Sequence, residues 1–187
     1  MDKFICNSNT LVLLGVNFES LVVSKAEEGF QEDGFEYSDS LISILSDNLT
    51  LGGISWEKVG FDRLKIESLF RDNKNKFRFT YLLLMDCGVS ENEGDSGLGF
   101  LAGDYGLRDV FKEKLDISGL GVHKGNFDMF QKGLGESLLL DCPYIICKNG
   151  FLTSPDESFM MTSIPYRKRV AEYLYDSAIQ IEFNNRR

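Results

Sequence analysis

The stretch from Cys142 onward constrains this chain most. Cys142 to Cys147 is a short apolar run of the kind carried by a buried strand. It passes directly into Lys148-Asn149-Gly150-Phe151-Leu152-Thr153-Ser154-Pro155. Ser154-Pro155-Asp156-Glu157 has the chemistry of a helix start: a capping serine, proline at the first helical position and acids in the first turn. A last amphipathic helix follows, capped by Thr162 or Ser163 and ending near Phe183. It carries Val170, Ala171, Leu174, Ala178 and Ile181 on one apolar stripe. A buried strand feeding amphipathic helices calls for a sheet with helices laid over it.

The remainder of the chain repeats that alternation. Thr10 to Leu14, Trp56 to Val59, Phe79 to Met85 and Tyr144 to Cys147 read as strands. Helices are expected over Glu36 to Leu49, with Asp33 as a cap, over Asp62 to Asn73 and over Leu107 to Leu115. Glu19 to Gly34 reads mostly as loop with a short strand at Leu21-Val22-Val23, and Gly88 to Gly99 as an acidic, glycine-rich loop. The expected fold is α/β, a single three-layer domain over residues 1–187 with a mostly parallel central sheet flanked by helices.

At 187 residues and 43% hydrophobic content, one globular domain can bury a sizeable core. A net charge of −9 repels phosphate backbones and anionic lipid, which argues against nucleic-acid or membrane-surface binding. The basic cluster Arg167-Lys168-Arg169 reads as a solvated helix face. No apolar run is long enough to cross a membrane, and no secretory signal is visible, so a cytoplasmic location is expected. The four cysteines, at 6, 87, 142 and 147, form no Cys-x-x-Cys pair, and one histidine cannot complete an ordinary zinc-finger set. Cys142 and Cys147 read as core thiols in a reducing compartment.

The block through Gly150-Phe151-Leu152-Thr153-Ser154-Pro155, with Gly121-Val122-His123-Lys124-Gly125-Asn126-Phe127 upstream, resembles the zinc-dependent N-acetylmuramoyl-L-alanine amidase domain family. That family cuts glycan from peptide in bacterial cell wall. The resemblance implies a first zinc ligand, a histidine in the family, at the position of Asn17. It implies the second, a glutamate opening the first long helix, at Glu36. The third, a histidine ending a central strand, falls on Asp86. The family's catalytic glutamate, just before its Gly-Phe-Leu, falls on Lys148, and His123 stands where the family has a lysine.

The exchanges matter chemically. A catalytic zinc needs three protein ligands and an open position for an acidified water. Asn17, Glu36 and Asp86 offer only oxygen, which suits harder ions. A protonated Lys148 cannot serve as the general base, a role commonly worth about 10²–10⁴-fold. Each position also has a plainer reading: Glu36 as a favourable charge at a helix N-terminus, Asp86 as a turn residue, His123 as a loop or helix-start histidine. Lys148 is a candidate partner for Glu36 or Asp86 where the family keeps its metal. The expectation is a catalytically inactive amidase-like domain without a cofactor, which binds a peptidoglycan fragment or a protein partner. The alternatives are an active, divergent cell-wall amidase and an unrelated α/β interaction domain.

Overall fold

Three apolar runs, Thr10–Val16, Phe79–Gly88 and Tyr144–Phe151, form adjacent parallel strands at the centre of the protein. The computed structural model describes residues 2–16, 31–60, 62–88, 97–121, 142–151 and 154–186, with the backbone alone at 31–36, 151 and 155. The strands are β1 (Lys3–Phe4), β2 (Thr10–Val16), β3 (Ser55–Lys58), β4 (Phe79–Gly88), β5 (Gly99–Ala102) and β6 (Tyr144–Phe151). The helices are α1 (Gln31–Leu51), α2 (Arg63–Asn73), α3 (Tyr105–Ser118), α4 (Pro155–Thr162) and α5 (Ile164–Asn184). The sheet order is β1-β3-β2-β4-β6-β5. β2, β3, β4 and β6 run parallel, while β1 and β5 are antiparallel edge strands.

Strand alternation sorts the core into two layers. Val12, Leu14, Tyr81, Leu83, Met85, Ile145 and Cys147 pack with residues of α1, α3 and α5. Leu11, Leu13, Leu82, Leu84 and Ile146 face the other way, against Ile66 of α2. The three-layer, mostly parallel architecture expected from the alternating pattern is therefore the one found. Between the layers Gly15 has no room for a side chain: a Cβ there would stand 2.9 Å from Leu84 and 3.2 Å from the Val59 carbonyl.

Local chemistry sets the helix ends. Asp62 accepts from the Lys65 N–H at 3.1 Å, Asp104 from the Leu107 N–H at 2.9 Å, and Ser163 from the Tyr166 N–H at 3.3 Å. Ser154 occupies the expected N-cap before Pro155, but its side chain makes no capping bond. The expected stripe of α5 is buried along its whole length. Tyr173 joins it in the core, with Tyr166 and Tyr175 packed partly buried against it, while Phe183 is exposed.

Several boundaries differ from the sequence reading. α1 starts at Gln31, so Asp33 lies inside the helix and residues 31–34 are not loop. Leu21-Val22-Val23 falls outside the described residues. β1 and β5 were not anticipated, because a two-residue strand and a short Gly-Phe-Leu-Ala run carry almost no periodic signal. β4 runs on through Gly88, which makes Asp86 a strand residue rather than a turn residue.

The amino end of the sheet is fastened by a carboxylate. Glu182 of α5 is buried and accepts from the Asn9 N–H at 3.2 Å, the Asn9 amide at 3.3 Å and Arg186 Nε at 3.3 Å. Burial alone would raise its pKa, but the bonds donated by Asn9 and Arg186 outweigh it and hold the carboxyl below its ordinary value. Such a group lends stability that is present above its unfolded pKa, about 4.3, and lost as pH falls through the folded value. Glu182→Gln is expected to lower stability at neutral pH and to flatten the acid limb of the profile. Urea midpoints across the acid range check this, and an unchanged limb in the variant would contradict it.

Candidate functional site

The carboxyl ends of β2, β4 and β6 collect the polar side chains that the core excludes. In open α/β sheets this edge is where ligands bind. Asp86 of β4 lies directly beside Lys148 of β6 in the strand register. Paired residues of neighbouring parallel strands project to the same face, so the carboxylate and the ammonium share one side of the sheet. That side carries Leu82 and Leu84 below Asp86, and Ile146 below Lys148. Asp86 is only 3% exposed, whereas Lys148 is half-buried.

Just beyond this pair the register slips. Asp86 opposes Lys148 but Gly88 opposes Phe151, so β6 has one extra residue in the interval. The bulge contains Gly150 at φ +118°, a backbone conformation that side-chain-bearing residues rarely adopt. A Cβ at Gly150 would also meet Met161 Sδ at 3.1 Å. The glycine of the Gly-Phe-Leu block thus has a local reason: it bends the strand end so that α4 can close over it.

The opposite face of the same edge is built from α1, α4 and α5. Tyr37 of α1 is 1% exposed, and its hydroxyl has no hydrogen-bond partner. Ser38 places its hydroxyl 3.7 Å from the Cys87 sulfur. Arg167 of α5 lays its guanidinium 5.4 Å from the centroid of the Tyr37 ring and donates from Nε to the Met161 carbonyl at 2.8 Å. The Tyr166 hydroxyl donates to the Asn149 carbonyl at 3.5 Å. Asn149 is fully buried; its amide nitrogen donates to the Cys147 carbonyl at 3.1 Å, while Oδ1 has no partner. Glu157 of α4 is buried and accepts the Gly97 N–H.

Electrostatics follow burial. The Cys87 thiol is pushed up to about 12, first by desolvation and then by Asp86, with Ser38, Lys148 and Arg167 opposing. Burial also lifts the hydroxyls of Tyr37 and Tyr166 above their ordinary range; Cys87 adds to the first and Glu157 to the second. Cys147 rises to about 12 through burial, partly offset by its contact with Tyr173. These groups are neutral near physiological pH.

The residues singled out in the sequence are only partly brought together. Asp86 and Lys148 are neighbours. Glu36 belongs to α1 one residue before Tyr37, so its backbone lies at this edge, while its side chain is outside the described residues. β2 ends at Val16, beside Met85, and Asn17 and His123 both lie outside the described residues. Arg167 departs from the solvated-face reading of its basic cluster: Lys168 and Arg169 are exposed, but Arg167 is half-buried against Tyr37. Cys147 is a core thiol as expected, and Cys142 is half-buried. Tyr37, Ser38, Cys87, Asn149, Glu157 and Arg167 were not anticipated as site residues, because only the crossovers of the chain bring them together.

Among the described residues no group of three or more histidine, cysteine, aspartate or glutamate side chains is placed to hold a metal ion. The chemistry of the edge agrees. In the strand register a lysine stands beside Asp86, so a cation of the chain already occupies the place next to that carboxylate. The described residues therefore do not fit zinc.

Sheet order, layering and a polar carboxyl edge together define an amidase-like α/β domain. Solved structures that share the fold include N-acetylmuramoyl-L-alanine amidases. The apo amidase from Mycobacterium abscessus has a TM-score of 0.65 at 13% identity, over 92% of this chain and 98% of that one. The catalytic domain of the amidase from Bacillus (Paenibacillus) polymyxa has a TM-score of 0.63 at 11% identity, over 92% and 97%. The CwlD amidase of Clostridioides difficile, in complex with the GerS lipoprotein, has a TM-score of 0.58 at 14% identity, over 94% and 98%. At these identities the likeness is one of fold. Neither a protein-family model nor a curated protein matches the sequence.

Thiol reactivity provides a direct check on this edge. In the folded protein at about pH 8, Cys87 and Cys147 are expected to resist iodoacetamide while the half-buried Cys6 and Cys142 react first. Mass spectrometry of the alkylated protein reads the order, and rapid labelling of Cys87 would contradict the geometry.

Proposed function

We propose that this chain is an amidase-like domain that has exchanged hydrolysis for binding, with a peptidoglycan fragment as its ligand. One observation carries the reading: on the carboxyl edge of an amidase-like sheet, Lys148 stands in register beside the buried Asp86. A carboxylate removed from water needs a compensating charge, and a neighbouring ammonium supplies one without any ion. The lysine also stands where the resemblance to the amidase family requires a carboxylate base. A protonated amine cannot take a proton from water, so loss of that base would compound the lack of a fitting zinc site among the described residues. The binding part of the reading is supported by the fold likeness and by the buried Tyr37 hydroxyl and Asn149 Oδ1, which have no hydrogen-bond partner among the described residues.

Two measurements test it. Purified protein is expected to contain no stoichiometric zinc and to release no stem peptide from muropeptides; one tightly held zinc per chain together with turnover would sink the proposal. The charge compensation is tested by a double-mutant cycle. Lys148→Met is expected to destabilise the protein by roughly 1–3 kcal/mol, below the range for a fully buried pair because Lys148 is half-buried. Combining it with Asp86→Asn should recover about 1 kcal/mol or more of the summed losses. Additive losses in denaturant titrations would mean that the two groups do not compensate one another.

A further inference from the structure

We infer that Arg167 anchors a carboxylate-binding site for a peptide ligand on the helix-covered face of the carboxyl edge. The inference rests on the binding role proposed above and names the chemical group that would be recognised. Two contacts fix the guanidinium plane: the Nε bond to the Met161 carbonyl at 2.8 Å and the seat over the Tyr37 ring at 5.4 Å. With Nε committed, the two terminal nitrogens have no partner among the described residues, yet they are not buried. No ion pair among the described residues involves Arg167. The nearby carboxylates are placed elsewhere: Glu157 takes the Gly97 N–H, and Asp86 lies on the other face beside Lys148.

A positioned guanidinium with its outer N–H groups open matches the two coplanar oxygens of a carboxylate. The surroundings add a second, independent sign of a missing ligand. The buried hydroxyl of Tyr37, within electrostatic reach of Arg167, has no partner, and neither has the buried Oδ1 of Asn149. Native interiors leave few such groups unmet, and these two lie on the same helix-covered face of the sheet edge, Tyr37 under Arg167 and Asn149 beside Met85 and Tyr166. The phenol offers a donor to an anion, while the amide oxygen suits a peptide N–H. Carboxylate is favoured over phosphate because one arginine balances a single negative charge better than two.

The test uses the whole chain in EDTA and isothermal calorimetry with alanyl-glutamate, its diamide and inorganic phosphate as probes. Wild type is expected to bind the free acid, not the diamide, and phosphate should fail to compete. Arg167→Lys, which keeps the charge but loses the fork, should weaken binding about tenfold or more. Arg167→Gln, which retains an N–H able to reach the Met161 carbonyl, should abolish it. Thermal midpoints of both variants near wild type would separate recognition from the helix-tying role of the side chain. Absence of binding to wild type, equal binding of the diamide, displacement by phosphate, or unweakened binding by either folded variant would each overturn the inference. Zinc-dependent turnover would refute the preceding proposal and leave this result standing; failure here leaves the loss of hydrolysis untouched.

Discussion

The parallel pairing of β4 with β6 is the constraint on which the rest of the structure depends. It aligns Leu82 with Tyr144 and continues to Asp86 beside Lys148. Everything at the carboxyl edge follows from that register. A slip of one residue would send every side chain of β6 to the opposite face: Cys147 would leave the layer of α5, and Lys148 would leave Asp86. Burial enforces the register, because β6 is apolar on both sides and neither layer tolerates its polar end.

Where that pairing stops, the fold changes character. The extra residue of β6 and the left-handed Gly150 end the ladder and let α4 and α5 approach the strand tips. The two faces of the edge then differ. One holds a carboxylate and an amine side by side at the top of an apolar layer. The other holds neutral phenols, a buried thiol, a buried amide and a guanidinium fastened by α4 and α1. A hydrolytic metal centre requires anionic or imidazole donors converging on one point. Among the described residues the charges and the neutral groups are divided between the two faces.

Much of the architecture was legible in the residues themselves. The runs at Thr10, Phe79 and Tyr144, the helix start at Ser154-Pro155 and the stripe of α5 all lie where local periodicity and capping chemistry placed them. The misses have identifiable causes. β5 is four residues long and pairs antiparallel only because β6 offers it an edge. Arg167 sat in a cluster that looked uniformly solvated, and nothing in its neighbours marks the one residue that turns inward to Tyr37. Asp86 read as a turn residue because a charged side chain normally ends a strand, yet β4 continues through it in register with β6.

The residues alone carry the alternation of strands and helices and the parallel layered class. Those are local or pairwise properties, set by apolar period, capping groups and side-chain chemistry. Only the tertiary structure decided that Asp86 meets Lys148, and that Tyr37, Cys87, Asn149 and Arg167 share one edge. Those partners are separated by scores of residues. They meet because crossover helices return each strand to a register chosen by burial, a property of the assembled sheet that no short stretch of chain contains.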